Sequence, residues 1–308
     1  MPRVTGQGHD GPRLDFCVLG APNSGKSALQ GYLWTHPRVF MPASEPNFYA
    51  DDVTEYGSDL PRPKNRQAYR ALFAGAAEGQ LLGEMSGRYL FSERAVPSLL
   101  RDSPDARFIL MLRNPVDMAH SIHSHLLRNS WEDERSFEKA WELQEARAAG
   151  KRIPPGCKRP KILLYRDRCS FAPHIERLFQ QVPRERVLVH LFEEFFADLR
   201  GSYLRTLAFL GLPDDGRTHF ERVNEHGVAR SRLLLHLALH PPFYRPLKRA
   251  FNTLGLRPGL AFFRWTVGKE SSAPMDKSFR RRLAAEFQPD IARLESILGR
   301  ALNVWTSH

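Results

Sequence analysis

The feature that most constrains this chain is a short apolar run, Leu14 to Leu19, that ends directly in Gly20-Ala21-Pro22-Asn23-Ser24-Gly25-Lys26-Ser27. These eight residues fit G-x-x-x-x-G-K-[ST] at every position, and a strand before the motif with a helix after it is the context the motif requires. Ala28 to Trp34 continue with helical character until His36-Pro37 ends the segment. The two glycines let the backbone approach a phosphate closely, and successive N–H groups point inward where the helix begins. Lys26 adds a point charge and Ser27 a hydroxyl. A chain that opens this way is committed to an α/β, P-loop-type fold.

The rest of the chain repeats the alternation of strand and helix. Val39 to Met41 reads as a short strand leading into the loop Pro42 to Asp52, Asn65 to Ala77 as a helix, and Gln80 to Gly83 as a short buried strand. Arg107 to Leu112 is the clearest buried strand. After it, Asn114 is placed as an N-cap and Pro115 at the first position of a helix that runs to Arg128. A helix over Phe137 to Ala149, a loop at Pro154-Pro155-Gly156, and an amphipathic helix over Ser170 to Gln181 precede the strand Val187 to Leu191. A final helix reaches Leu210 and stops at Gly211. Strands separated by helices imply a central parallel sheet flanked by helices in three layers, with ligand loops at the carboxyl ends of the strands. Residues 1–13 read as a loose tail and residues 14–308 as one domain. Within it, Ser231 to Val267 is Leu/Phe/Arg-rich and broken by prolines at 241, 242, 246 and 258. It reads as helical packing that closes over an acceptor site, with a peripheral membrane contact as the alternative.

The net charge is +11, with basic clusters at Arg230 to Arg264 and Lys277 to Arg282. Zinc-finger spacing, an RNP-like aromatic motif and a helix-turn-helix pattern are all absent from the sequence, so the positive field fits a highly charged nucleotide better than nucleic acid. Cys17, Cys157 and Cys169 are too few and too irregularly spaced for a disulfide framework or a zinc site. With no signal-peptide h-region and no membrane-length apolar run, a cytoplasmic location is expected. The phosphate loop alone leaves two enzyme classes open. A Mg²⁺-dependent kinase needs an acid at the end of a nearby strand, and Glu84 is the candidate, acting with Lys26 and Ser27 on ATP. The clearest strand ends in Arg113 instead. A nucleotide-binding protein with little or no catalysis is the third reading.

Taken together, these segments resemble the PAPS-dependent sulfotransferase superfamily, in particular bacterial members similar to the heparan sulfate sulfotransferase branch. The stretch from Gly20 to Phe40 resembles that family's 5′-phosphosulfate loop and helix, and Ser44 to Asp52 its Glu-Pro-His-Phe-Phe segment. Arg107 to His125 resembles its 3′-phosphate motif: an apolar strand, Arg-(Asp/Asn)-Pro, and a Ser eight residues after the Arg. The resemblance runs in order over residues 14 to 305. It implies a co-substrate, 3′-phosphoadenosine 5′-phosphosulfate (PAPS), that donates its sulfuryl group to a hydroxyl or amine of a small-molecule, lipid or glycan acceptor, with no metal. It also implies that Pro22, Asn23, Ser24, Gly25, Lys26, Ser27 and Ala28 cradle the 5′-phosphosulfate, and that Arg113 and Ser121 hold the 3′-phosphate. Glu45 matches the catalytic base, Lys26 serves the reacting centre, and Gly268 and Lys269 match a late loop over the cofactor. The chain departs from the pattern in four places: Asn23 stands where Lys or Arg is usual, Lys26 where Thr is usual, Met85 where a Lys touches the reacting centre, and Phe171 where a Tyr is common.

Overall fold

The structure is a computed structural model and describes residues 12–53, 62–220, 228–229, 267–268 and 275–306. The elements follow one another as β1 (Phe16–Gly20), α1 (Lys26–Trp34), β2 (Val39–Phe40), α2 (Arg66–Ala71), β3 (Leu81–Met85), α3 (Ala95–Asp102), β4 (Arg107–Leu112) and α4 (Pro115–Arg128). Then come α5 (Phe137–Glu142), α6 (Gln144–Ala148), α7 (Tyr165–Cys169), α8 (Ala172–Gln181), β5 (Val187–Leu191), α9 (Phe192–Ala197) and α10 (Leu199–Leu210). A two-stranded pair, β6 (Val228–Ala229) with β7 (Val267–Gly268), precedes α11 (Lys277–Leu298) and α12 (Asn303–Thr306).

Strands β1 to β5 form one parallel sheet in the order β2-β3-β1-β4-β5. Period-two alternation divides the buried strand residues between its two faces. Phe16, Val18, Ile109 and Met111 pack with α1 and α10 through Leu29, Leu33, Tyr203 and Leu207. Cys17, Leu19, Phe108, Leu110 and Leu112 pack with α3, α8 and α11 through Leu99, Ile175, Leu283 and Phe287. The expected three-layer α/β fold is therefore present.

Several boundaries differ from the sequence reading, each for a local reason. The helix expected over Asn65 to Ala77 keeps its cap, since Asn65 Oδ1 accepts from Ala68 N at 2.8 Å, but α2 ends at Ala71 and turns follow. The helix expected over Phe137 to Ala149 is interrupted at Leu143. The final helix is two, because the Asp198 side chain starts a new one by accepting from Gly201 N at 2.9 Å. The buried strand expected at Gln80 to Gly83 begins one residue later and runs to Met85. Helix α3 lies in a stretch to which the sequence reading assigned no element. Pro97 sits in the first turn, where its missing N–H costs nothing, and Ser92 Oγ caps the helix by accepting from Ala95 N at 2.9 Å. The expected tail lies outside the described residues up to residue 11. The Ser231 to Val267 segment lies outside them except for Val267.

Candidate active site

Strand β1 is the switch point of the sheet: the chain builds β3 and β2 on one side of it and β4 and β5 on the other. In open parallel sheets ligands bind in the crevice at the carboxyl ends of such strands. The phosphate loop leaves β1 there. Gly20 has φ +144, and a β-carbon on it would lie 2.1 Å from the Met111 carbonyl oxygen of β4, so only glycine fits. Gly25 has φ +88 and caps α1 without a side chain, leaving the first-turn N–H groups with no side-chain acceptor. Asn23, at φ +54, takes the left-handed conformation that Asn adopts more readily than other non-glycine residues. Ser24 Oγ and Lys26 Nζ both donate to the Ala21 carbonyl, at 2.7 Å and 2.5 Å.

Arg113 leaves the end of β4 into the same crevice. Its Nη1 donates to the Asn23 carbonyl at 3.0 Å, and its guanidinium lies over the Phe192 ring at 4.4 Å. Its Nε is buried and has no hydrogen-bond partner among the described residues. A half-buried guanidinium with a donor unsatisfied among the described residues, beside a phosphate-type loop, fits an anionic ligand. Burial lowers the Arg113 pKa, and the charges of Asp117 and Glu193 oppose that shift. The turn that carries Arg113 is fixed at three points. Asn114 Oδ1 caps α4 through Val116 N, Asn114 Nδ2 donates to the Trp305 carbonyl at 3.0 Å, and Glu193 accepts from Asn114 N at 3.0 Å and from the Trp305 indole at 2.9 Å. Ser121 is half-buried on α4, one turn beyond Asp117 and on the same face. Arg280 of α11 forms a two-pronged pair with Asp117, at 2.6 Å and 3.1 Å.

Glu45 and Lys26 approach one another beside Gly87. A β-carbon on Gly87 would lie 3.5 Å from Glu45 Oε2 and 3.7 Å from Lys26 Nζ, so glycine there leaves the space between them open. Burial pulls the Lys26 pKa down to about 8, and the Glu45 carboxylate works against that shift. Glu45 Oε2 accepts from Asn47 Nδ2 at 3.2 Å and from Gly87 N at 3.3 Å. Asn47 is itself buried, with its N–H on Ser86 Oγ at 3.0 Å and its Oδ1 accepting from Arg88 N at 3.2 Å.

The competing carboxylates have other partners. Asp52 accepts from Ser92 Oγ at 2.6 Å and Glu93 N at 3.0 Å, and Asp51 pairs with Arg94 at 3.7 Å. Glu84 is fully buried, accepts the Tyr69 hydroxyl, and is pushed up to about 7 by burial. A carboxyl raised by burial and sealed among tyrosines is a poor ligand for Mg²⁺, which weighs against the kinase alternative. Met85 packs with the apolar residues on the opposite face of the sheet, among Phe16, Val18 and Leu29.

The structure thus gathers the phosphate loop, Glu45 and Arg113 at one end of the sheet, and Ser121 lies on α4, the helix that starts there. Gly268 pairs with Val228 in the β6–β7 ladder, and Lys269 lies outside the described residues. Sequence reasoning missed Asn47, whose only signal was its place two residues after Glu45. It also missed Arg280, hidden in a basic run read as general surface charge, and the Glu193–Trp305 contact, which joins residues 112 positions apart.

A family profile described as "Sulfotransferase domain" matches residues 13–227. The chain belongs to the sulfotransferase domain family. This sulfotransferase-family chain is 28% identical over 195 residues to mouse heparan sulfate glucosamine 3-O-sulfotransferase 3A1, covering 63% of the chain and 45% of that protein. It is 27% identical over 200 residues to human heparan sulfate glucosamine 3-O-sulfotransferase 6, covering 63% and 51%. It therefore spans about half the length of these relatives. The crystal structure of a sulfotransferase from Alicyclobacillus acidocaldarius superposes with a TM-score of 0.67 at 26% identity, covering 96% of this chain and 99% of that one. Among the described residues, no helix of this family member is long and apolar enough to cross a membrane.

Proposed function

We propose that this chain transfers a sulfuryl group from PAPS to a hydroxyl or amine of a glycan or small-molecule acceptor. The observation that carries the reading is the convergence of the Gly20 to Ser27 loop, Arg113 with its unsatisfied Nε, and the Glu45–Lys26 pair on one crevice. In the reaction the acceptor oxygen or nitrogen attacks sulfur in line. The bond from sulfur to the bridging oxygen breaks, and adenosine 3′,5′-bisphosphate departs. Glu45 takes the acceptor proton, a role typically worth about 10²–10⁴ in rate. Negative charge grows on the bridging oxygen, where Lys26 and the N–H groups at the start of α1 stabilise it. Arg113 and Ser121 hold the 3′-phosphate. Lys26 fills the role that a cation at position 23 or 85 plays in the family pattern.

The deciding experiment is calorimetry on two ligands and two proteins, without Mg²⁺. A hydrogen bond to a charged group contributes roughly 1.5–3 kcal/mol. Adenosine 3′,5′-bisphosphate is therefore expected to bind wild type at least about tenfold more tightly than adenosine 5′-monophosphate. Arg113→Ala removes most of that preference and barely changes monophosphate binding, and the coupling between residue and phosphate is read from the cycle. Equal binding of the two ligands to wild type, or tightest binding of ATP with Mg²⁺, refutes the proposal.

Glu45 is tested by Glu45→Gln, which is expected to retain adenosine 3′,5′-bisphosphate affinity and lose rate by about 10²-fold or more. A larger loss from Asp51→Asn or Asp52→Asn would assign the base to a different carboxylate.

A further inference from the structure

The first turns of α4 keep one polar stripe open. Between residues 113 and 124, the positions short of full burial are Arg113, Asp117, His120 and Ser121. Asp117 precedes His120 by three residues and Ser121 by four, which sets them on one side of the helix, and Arg113 stands a further turn back. Arg113 and Ser121 are proposed to hold the 3′-phosphate, and a carboxylate lies between them. That placement carries a conflict. An acid in the first turn of α4 is favourable, because it faces the positive end of the helix dipole, and its charge sustains the Arg113 guanidinium against burial. The same negative charge repels a phosphate held by Arg113 and Ser121.

Arg280, in the first turn of α11, resolves the conflict. Its Nη1 donates to Asp117 Oδ1 at 2.6 Å and its Nη2 to Asp117 Oδ2 at 3.1 Å, so one planar cation engages both carboxylate oxygens. Burial pulls the His120 pKa down, Asp117 opposes that shift, and Arg113 and Arg280 reinforce it, so the four groups share one electrostatic neighbourhood. As a device for fold stability the pair is slight, since its side chains are 26% and 34% exposed. Arg280 also lies beyond residue 227, where the family match closes.

We infer that Arg280 is a positioning residue of the nucleotide crevice: it cancels the charge of Asp117 so that a 3′-phosphate can settle between Arg113 and Ser121. The inference rests on the proposed sulfuryl transfer and adds to it a requirement from the C-terminal helix.

The test is calorimetry with adenosine 3′,5′-bisphosphate and adenosine 5′-monophosphate on the full chain. Arg280→Ala is expected to weaken the bisphosphate by at least about tenfold and the monophosphate by less than about threefold, because the uncovered carboxylate meets a 3′-phosphate in one ligand alone. Removing the carboxylate as well, in Arg280→Ala/Asp117→Asn, is expected to return bisphosphate affinity to within about threefold of wild type. Damage to the fold has no reason to be repaired by that second substitution. Arg280→Lys keeps the charge and is expected to stay within about threefold of wild type, which supplies a second variant should Arg280→Ala fold poorly. A double variant or an Arg280→Lys as weak as Arg280→Ala overturns the inference, as does a bisphosphate loss shared equally by the monophosphate. So does an equal loss from Arg281→Ala, the exposed neighbour of the same charge on the same helix. If wild type prefers the bisphosphate and Arg280→Ala keeps that preference, the role of Arg280 falls and the sulfotransferase reading stands. If wild type shows no preference, the sulfotransferase reading falls with it.

Discussion

Lys26→Ala is expected to lower kcat by about 10²–10³ while changing bisphosphate affinity by less than about tenfold, the range for removing one preorganised donor from a developing oxyanion. The difference between the two effects is the point. Lys26 sits beside Glu45 and donates to the Ala21 carbonyl, and in the proposed mechanism its charge matters most when the bridging oxygen gains charge. Equal kcat for variant and wild type would remove Lys26 from the mechanism. Because burial brings Lys26 to about 8, kcat/KM is expected to fall as pH rises through about 8, where the free enzyme loses the ammonium. Lys26→Arg removes that limb. Stability moves the other way: between about pH 8 and 10.5 the unfolded chain holds more protons at this position, so wild type gains stability with rising pH there and Lys26→Met does not. Asn23→Lys returns a cation to the family's usual place, at a backbone cost of roughly 1–2 kcal/mol for a non-Asn residue in the left-handed region.

Arg147→Met is expected to destabilise the fold by about 3–5 kcal/mol in urea titration, because it leaves a buried carboxylate without its counter-charge. Arg147 Nη2 donates to Glu132 Oε1 at 2.7 Å, and both side chains are fully buried. Glu132 also accepts the Tyr165 hydroxyl at 2.6 Å and the N–H groups of Asp133 and Glu134 at 2.8 Å and 2.9 Å. Despite the burial penalty, these partners hold the Glu132 pKa below its ordinary value. Its contribution is therefore present at neutral pH and is lost as pH falls through the folded pKa, so the deficit of Arg147→Met is expected to shrink in acid. A loss below about 1 kcal/mol would show that the pair merely replaces apolar packing. The network follows directly on α4, and His123 of that helix contacts the Glu134 carbonyl at 2.8 Å, so the far end of the helix behind Arg113 is anchored here.

How much was legible in the sequence follows the range of the forces involved. The phosphate loop, the apolar strand ending at Arg113 and the Asn114-Pro115 helix start are written in consecutive residues, and the fold followed from them. Helix ends were less legible. Asp198 restarts a helix through a bond to Gly201, and Ser92 accepts from the first N–H of α3 ahead of Pro97. The site's supporting contacts were the least legible, since Glu193–Trp305, Asp117–Arg280 and Glu132–Arg147 join positions whose proximity only the tertiary fold creates. Glu84 shows the reverse failure. Its place beside a strand end suggested a metal ligand, whereas its neighbours are tyrosines that bury it.

The clasp between Trp305, Glu193 and Asn114 has a consequence for the order in which the molecule is completed. The phosphate loop, the Glu45 segment and the Arg113 turn are all synthesised before residue 129, and the family match closes at residue 227. Yet the turn that aims Arg113 is braced by an indole and a carbonyl made almost 200 residues after Asn114. A ribosome-bound chain that has just exposed these three segments still lacks the strut that holds the guanidinium turn. A fragment cut at the family boundary lacks it permanently. The bracing of that turn arrives with α12, well after the sequence has announced the crevice.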